Sequence, residues 1–94
     1  MTYDEAKQQA EIEALRDIGN FREIGNEPVL DSRFLEVDNC WMFFQNKNII
    51  IPETAILRKA AYVFSKKGTG RSVADYSEDM KKAEEYLLEM SEYF

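Results

Sequence analysis

The chain has 94 residues, 45% of them apolar and 13% aromatic, and a formal charge of −6. That length holds one hydrophobic core, and the composition is that of a globular domain rather than a disordered tail. With no histidine and one cysteine, the sequence excludes Ser-His-Asp and Cys-His triads, metal sites built on Cys and His spacing, and an internal disulfide.

Residues 3–18 read as a helix. Thr2 and Glu5 have the capping-box spacing, in which each side chain satisfies an orphan amide of the first turn. Ala6, Ala10, Ala14 and Ile18 recur at four-residue steps, giving an amphipathic helix whose apolar face is unusually small and suits close approach to a sheet. Gly19 is expected to end it as a left-handed cap. Two short copies of Arg-Xaa-Ile-Gly-Asn (residues 16–20 and 22–26) are too brief for a repeat architecture. Glu27-Pro28 then keeps the chain extended.

A first strand is expected over 29–37, with imperfect alternation that a bulge or a register change near Arg33 would reconcile. Asp38-Asn39 turns into a second strand, Cys40 to Gln45, which holds the only tryptophan and is apolar on both parities. It reads as the centre of a sheet, and both of its faces need covering. Asn46-Lys47-Asn48 is a turn and Ile49-Ile50-Ile51 a short β-favouring run stopped by Pro52. Residues 52–60 are compatible with a short helix or a loop. Ala61 to Ser65 forms a third strand, Lys66 to Gly70 a hairpin turn, and Arg71 to Ala74 a fourth strand.

The last helix opens at Asp75-Tyr76-Ser77-Glu78, with Asp75 or Ser77 as cap. Met80, Ala83, Leu87, Met90 and Phe94 make its apolar stripe, and acids and lysines fill most of the rest. The expected fold is therefore α+β: an N-terminal helix, an antiparallel sheet of about four strands, and a C-terminal helix packed on the sheet, all in one domain spanning 1–94.

Charge is unevenly placed. Residues 1–38 carry ten acids and four bases, residues 39–74 one acid and six bases, and residues 75–94 seven acids and two bases. If the two acidic ends pack together, they present one strongly negative face, which repels nucleic acid and attracts a basic partner. No chemistry-bearing motif stands against this. Gly68-Thr69-Gly70-Arg71-Ser72 lacks the spacing of a phosphate-binding loop, and Cys40 sits among aromatics with no neighbouring base to activate it. The carboxylates fall on exposed helix faces. An enzyme, a cofactor and a metal are not expected.

Two stretches carry a family resemblance. Glu36-Val37-Asp38-Asn39-Cys40-Trp41-Met42-Phe43-Phe44-Gln45, and Ala61-Tyr62-Val63-Phe64-Ser65-Lys66-Lys67-Gly68-Thr69-Gly70, with the Ala6 and Ala10 helix before them, resemble the bacterial immunity protein 35 (YrhB-like) family. The chain departs from that pattern at Cys40, where the family has a Gly, and at Leu57 to Ala61, where it has Gly-Asn-Xaa-Pro. The resemblance implies a protein that binds and neutralises the C-terminal domain of a bacterial toxin, of a nuclease type in contact-dependent or polymorphic systems, by covering its active site or substrate cleft. On that reading the partner-binding residues are Asp75, Glu78, Asp79, Glu85 and Glu89, with Trp41 as an aromatic anchor if it is exposed.

The sequence keeps two alternatives open: a non-catalytic adaptor or oligomer subunit, and an acidic mimic of nucleic acid. A single cysteine, a start without the pattern of a secretory signal, and apolar runs too short to cross a bilayer lead to the expectation of a cytoplasmic chain with no membrane or nucleic-acid partner. They leave its oligomeric state open.

Overall fold

A computed structural model describes residues 1–94. The elements follow in the order α1 (Tyr3–Ile18), a 3-10 turn (Gly19–Phe21), β1 (Leu30–Glu36), β2 (Cys40–Gln45), a 3-10 segment (Glu53–Arg58), β3 (Ala61–Ser65), β4 (Gly70–Val73) and α2 (Met80–Ser91). The four strands form one antiparallel sheet in the order β1-β2-β3-β4. This is the α+β arrangement expected from the sequence, with one refinement: the helices lie on opposite faces of the sheet.

Strand alternation produces those faces. Trp41 and Phe43 of β2, with Tyr62 and Phe64 of β3, point to α1; Cys40, Met42 and Phe44, with Ala61 and Val63, point to α2. The register keeps like with like, pairing Trp41 with Phe64 and Phe43 with Tyr62 on one side, and Met42 with Val63 on the other. Every residue of β2 and β3 is buried. The doubly apolar strand is thus explained by a helix on each side.

The two helices divide the volume between them. Large rings fill the first face, so α1 meets them with Ala6, Ala10, Ala14 and Ile18, all fully buried. The second face offers smaller groups such as Cys40, Ala61 and Val63, and α2 fills it with Leu87 and Met90 around Ala83. In each layer small residues meet large ones, the arrangement that close packing needs.

Both helices begin as local chemistry dictates. The Thr2 hydroxyl accepts from the Glu5 amide at 3.2 Å while the Glu5 carboxylate accepts from the Thr2 amide at 2.9 Å, completing the capping box. Asp79, rather than Asp75 or Ser77, caps α2, accepting from the Lys82 amide at 3.2 Å. The Asp75 carboxylate is instead spent on a tight local turn, accepting from the Ser77 amide at 2.8 Å. Residues 75–78 therefore lead into the helix without joining it.

Two further expectations are corrected and one open alternative is resolved. Gly19 is right-handed (φ −58°), because the chain tightens into the 3-10 turn and Arg22 satisfies the end: its Nε donates to the Gly19 carbonyl at 3.0 Å and its Nη1 to the Glu27 carbonyl at 3.1 Å. Residues 49–51 form no strand, since β2 already pairs on both sides. Ile49 drops into the α1 side of the core, whereas Ile50 is exposed. Residues 52–60, left as helix or loop, fold as the kinked 3-10 segment.

The register does shift around Arg33. Leu30 faces Gln45 and Phe34 faces Phe43, so β1 spends four residues where β2 spends two. Asp31 holds it, its Oδ1 accepting from the Arg33 amide at 3.0 Å and its Oδ2 from Arg33 Nη2 at 3.0 Å. Gly68 takes the one left-handed position, at φ 104°, in the β3–β4 turn. No helix is long and apolar enough to cross a membrane.

Candidate protein-binding surfaces

The acidic residues singled out in the sequence lie on and before α2. The buried stripe Ala83, Leu87 and Met90 turns Glu85 and Glu89, one helical turn apart, to the opposite, exposed side. Glu84 and Glu92 are exposed beside them, as are Glu78 and Asp79 before the helix. None of the seven acids from Asp75 onward takes part in an ion pair; the pairs are Arg16–Glu13, Arg16–Asp17, Arg33–Asp31 and Lys66–Glu36. Lys82 is engaged elsewhere, its Nζ 4.5 Å from the centre of the Tyr76 ring, which stacks edge-on against Tyr86 at 5.3 Å. With only Lys81 and Lys82 against seven acids over 75–94, this face is strongly net negative.

Asp75 and Glu78 also border a cleft of about 460 Å³ at the end of the sheet, opposite Lys47, Lys59 and the Arg33 guanidinium, with Ile51 and Ile56 among its apolar lining. Arg33 links this corner to β1, donating from Nη1 to the Ser77 carbonyl at 3.4 Å. The Arg33 guanidinium in turn holds the Asp31 carboxyl below the usual carboxylate range.

Trp41 does not belong to this surface. It is 5% exposed and lies on the α1 side, 6.5 Å from the Tyr3 ring, with the sheet between it and α2. The anchor role required exposure, and burial removes it. What solvent sees near the indole is Lys66, with Nζ 5.3 Å from the ring centre and 2.7 Å from Glu36 Oε2. That ammonium draws the Glu36 carboxyl below its ordinary range. The indole N–H itself is buried without a well-formed hydrogen bond.

The expected single negative face is likewise corrected. With α1 on one side of the sheet and α2 on the other, the acids of the two ends are separated by the core. They do not join into one face.

A buried polar chain escaped the sequence reading. Gln45, the last residue of β2, donates from Nε2 to the Tyr62 hydroxyl at 2.8 Å and to the Arg58 carbonyl at 2.9 Å, and its Oε1 accepts from the Ala60 amide at 3.2 Å. The Tyr62 hydroxyl donates onward to Asp17 Oδ2 at 2.7 Å. The signal was faint: a glutamine ending an otherwise apolar strand, two residues beyond Phe43, the register partner of the core tyrosine. These bonds pin the exit of the 3-10 segment to the sheet. Its tip remains outside, with Ile56 54% and Leu57 97% exposed.

A larger groove of about 1050 Å³ runs between α1 and the bulged edge of β1, bordered by Lys7, Glu11, Ile12, Leu15, Val29 and Leu30 among others. Its charges are mixed. Cys40 is fully buried, and burial pushes its thiol up, away from the reactive thiolate. Nowhere do three Cys, Asp or Glu side chains converge in a way that could hold a metal ion.

No family model, curated protein or solved structure matches the chain.

Proposed function

We propose that the chain is a non-catalytic binding protein that neutralises a basic protein partner, in the manner of a bacterial immunity protein holding the C-terminal domain of a cognate toxin. The observation that supports this is the α2 surface, where Glu78, Asp79, Glu84, Glu85, Glu89 and Glu92 are exposed and unpaired. A net-negative cluster of unpaired carboxylates on and just before a helix accelerates encounter with a basic cleft and sets its orientation. A nuclease-type toxin carries such a cleft for its own substrate, so an acidic lid over it blocks the reaction without chemistry by the inhibitor. The site on this reading is Glu78, Asp79, Glu85 and Glu89, with Asp75 at its margin and Trp41 supporting the sheet behind.

The test is co-expression with the C-terminal domain encoded immediately upstream. A stoichiometric complex and restored growth are expected. Replacing Glu85 and Glu89 together by lysine should weaken the complex roughly tenfold or more, about 1.4 kcal/mol per decade, and mostly through slower association. Absence of both complex and rescue rejects the proposal.

A further inference from the structure

The 3-10 segment presents an apolar knob that the fold does not use. Leu57 is 97% exposed and Ile56 54%, although Gln45 fixes the base of the segment through the Arg58 carbonyl and the Ala60 amide. Singly exposed apolar side chains are ordinary, and Ile12, Ile24 and Ile50 are exposed elsewhere; what distinguishes this turn is two adjacent apolar side chains with cations beside them. Its flanks are basic: Arg58 and Lys59 follow directly, and neither is in an ion pair. Arg58 is steadied by lying 5.7 Å from the centre of the Phe21 ring.

The complement of that knob lies on the same molecule. Leu88 is 49% exposed on α2. Helical spacing places Glu84 and Glu85 one turn before it and Glu92 one turn after, all exposed. An apolar spot rimmed by carboxylates therefore faces outward from α2, and an apolar knob with cations beside it projects from the 3-10 segment. The net charges match in size and oppose in sign: six bases and one acid over 39–74, seven acids and two bases over 75–94. Leu57 is almost fully solvated, so the two surfaces do not meet within one chain.

We infer that a second copy of this chain covers the knob, with Leu57 and Ile56 of one molecule against Leu88 of the next, and Arg58 and Lys59 against Glu84, Glu85 and Glu92. Either a reciprocal dimer or an open head-to-tail chain closes this contact. The contact is small, so it is weak and strongly dependent on salt. It uses the acidic face assigned above to a basic partner, and the two occupants exclude each other. The inference does not rest on that assignment.

Sedimentation equilibrium at low ionic strength and in about 1 M salt, where the screening length shrinks to about 3 Å, reads the outcome. Wild type should exceed the 11.0 kDa of one chain at low salt and fall towards it at high salt. Leu57→Asp should stay monomeric in both. Lys59→Glu and Glu85→Lys should each lose association alone and regain it when mixed. All three positions are exposed, and circular dichroism checks that each variant is folded.

A wild type that stays at one chain's mass at low salt overturns the inference, as does a Leu57→Asp variant that still associates. A monomer that instead pellets with anionic lipid vesicles, dependent on Leu57, overturns it in favour of a lipid surface. Loss of toxin binding in Glu85→Lys but not in Leu57→Asp separates this contact from the neutralising one.

Discussion

The Tyr62 hydroxyl lies 2.7 Å from Asp17 Oδ2 and 2.8 Å from Gln45 Nε2, so one buried group joins the end of α1 to two central strands. Through Gln45 the same chain reaches the Arg58 carbonyl and the Ala60 amide. Polar groups buried this deeply stabilise only while every member has a partner.

Tyr62→Phe leaves the Gln45 amide with one bond fewer and is expected to cost about 1–2 kcal/mol in urea unfolding. The wild type should also lose stability in alkali. Burial raises the Tyr62 hydroxyl above its usual value of 10.0, so above that pH the unfolded chain sheds a proton that the folded chain keeps. Stability from this group is complete below pH 10 and declines as pH rises past it. The difference in stability between wild type and Tyr62→Phe should therefore narrow above about pH 10.

Gln45→Leu removes three bonds and strands the Arg58 carbonyl and Ala60 amide. A loss of about 2–3 kcal/mol is expected, with faster amide exchange at Ala60 and readier proteolysis across 53–60. Self-association through Leu57 should weaken as its platform loosens.

Asp31 and Arg33 give an acid-side test. The Asp31 carboxyl is held below its ordinary value of 3.8, chiefly by the Arg33 guanidinium. Its contribution is present above that value and is lost as pH falls through the lowered one. Asp31→Asn should be less stable at neutral pH and should show a shallower loss of stability below about pH 4, measured by denaturant titration at several pH values.

The tight seat of α1 predicts that Ala10→Leu, at a fully buried position facing the rings, overpacks the layer. A cost of about 1–3 kcal/mol is expected, visible as a lower denaturation midpoint. Trp41→Ala on the same face should cost about 3–5 kcal/mol. Because Trp41 is the only tryptophan and is buried, native emission should be blue-shifted and poorly quenched by iodide.

Asp79 has two roles that substitution can separate. As the cap of α2 it accepts from the Lys82 amide, so Asp79→Ala should cost about 1 kcal/mol of stability. Asp79→Asn keeps an accepting oxygen there while removing charge. It should hold the thermal midpoint near wild type and, on the proposed function, still slow association with the toxin domain.

The sequence by itself determined the order of helices and strands, because each rests on local physics: four-residue spacing for α1, the Thr2–Glu5 box, the short apolar, β-favouring runs of the two central strands, and glycine in the Lys66–Gly70 turn. It also showed that β2 needed cover on both sides. Only the tertiary structure decided which helix covers which face, since volume matching between the alanines of α1 and the rings of β2 and β3 is a property of three elements at once. That choice buried Trp41 and kept the acidic ends from joining into one face. It also exposed Leu57, whose surroundings depend on a hydrogen-bond network joining residues 17, 45, 58, 60 and 62, which no local spacing reveals.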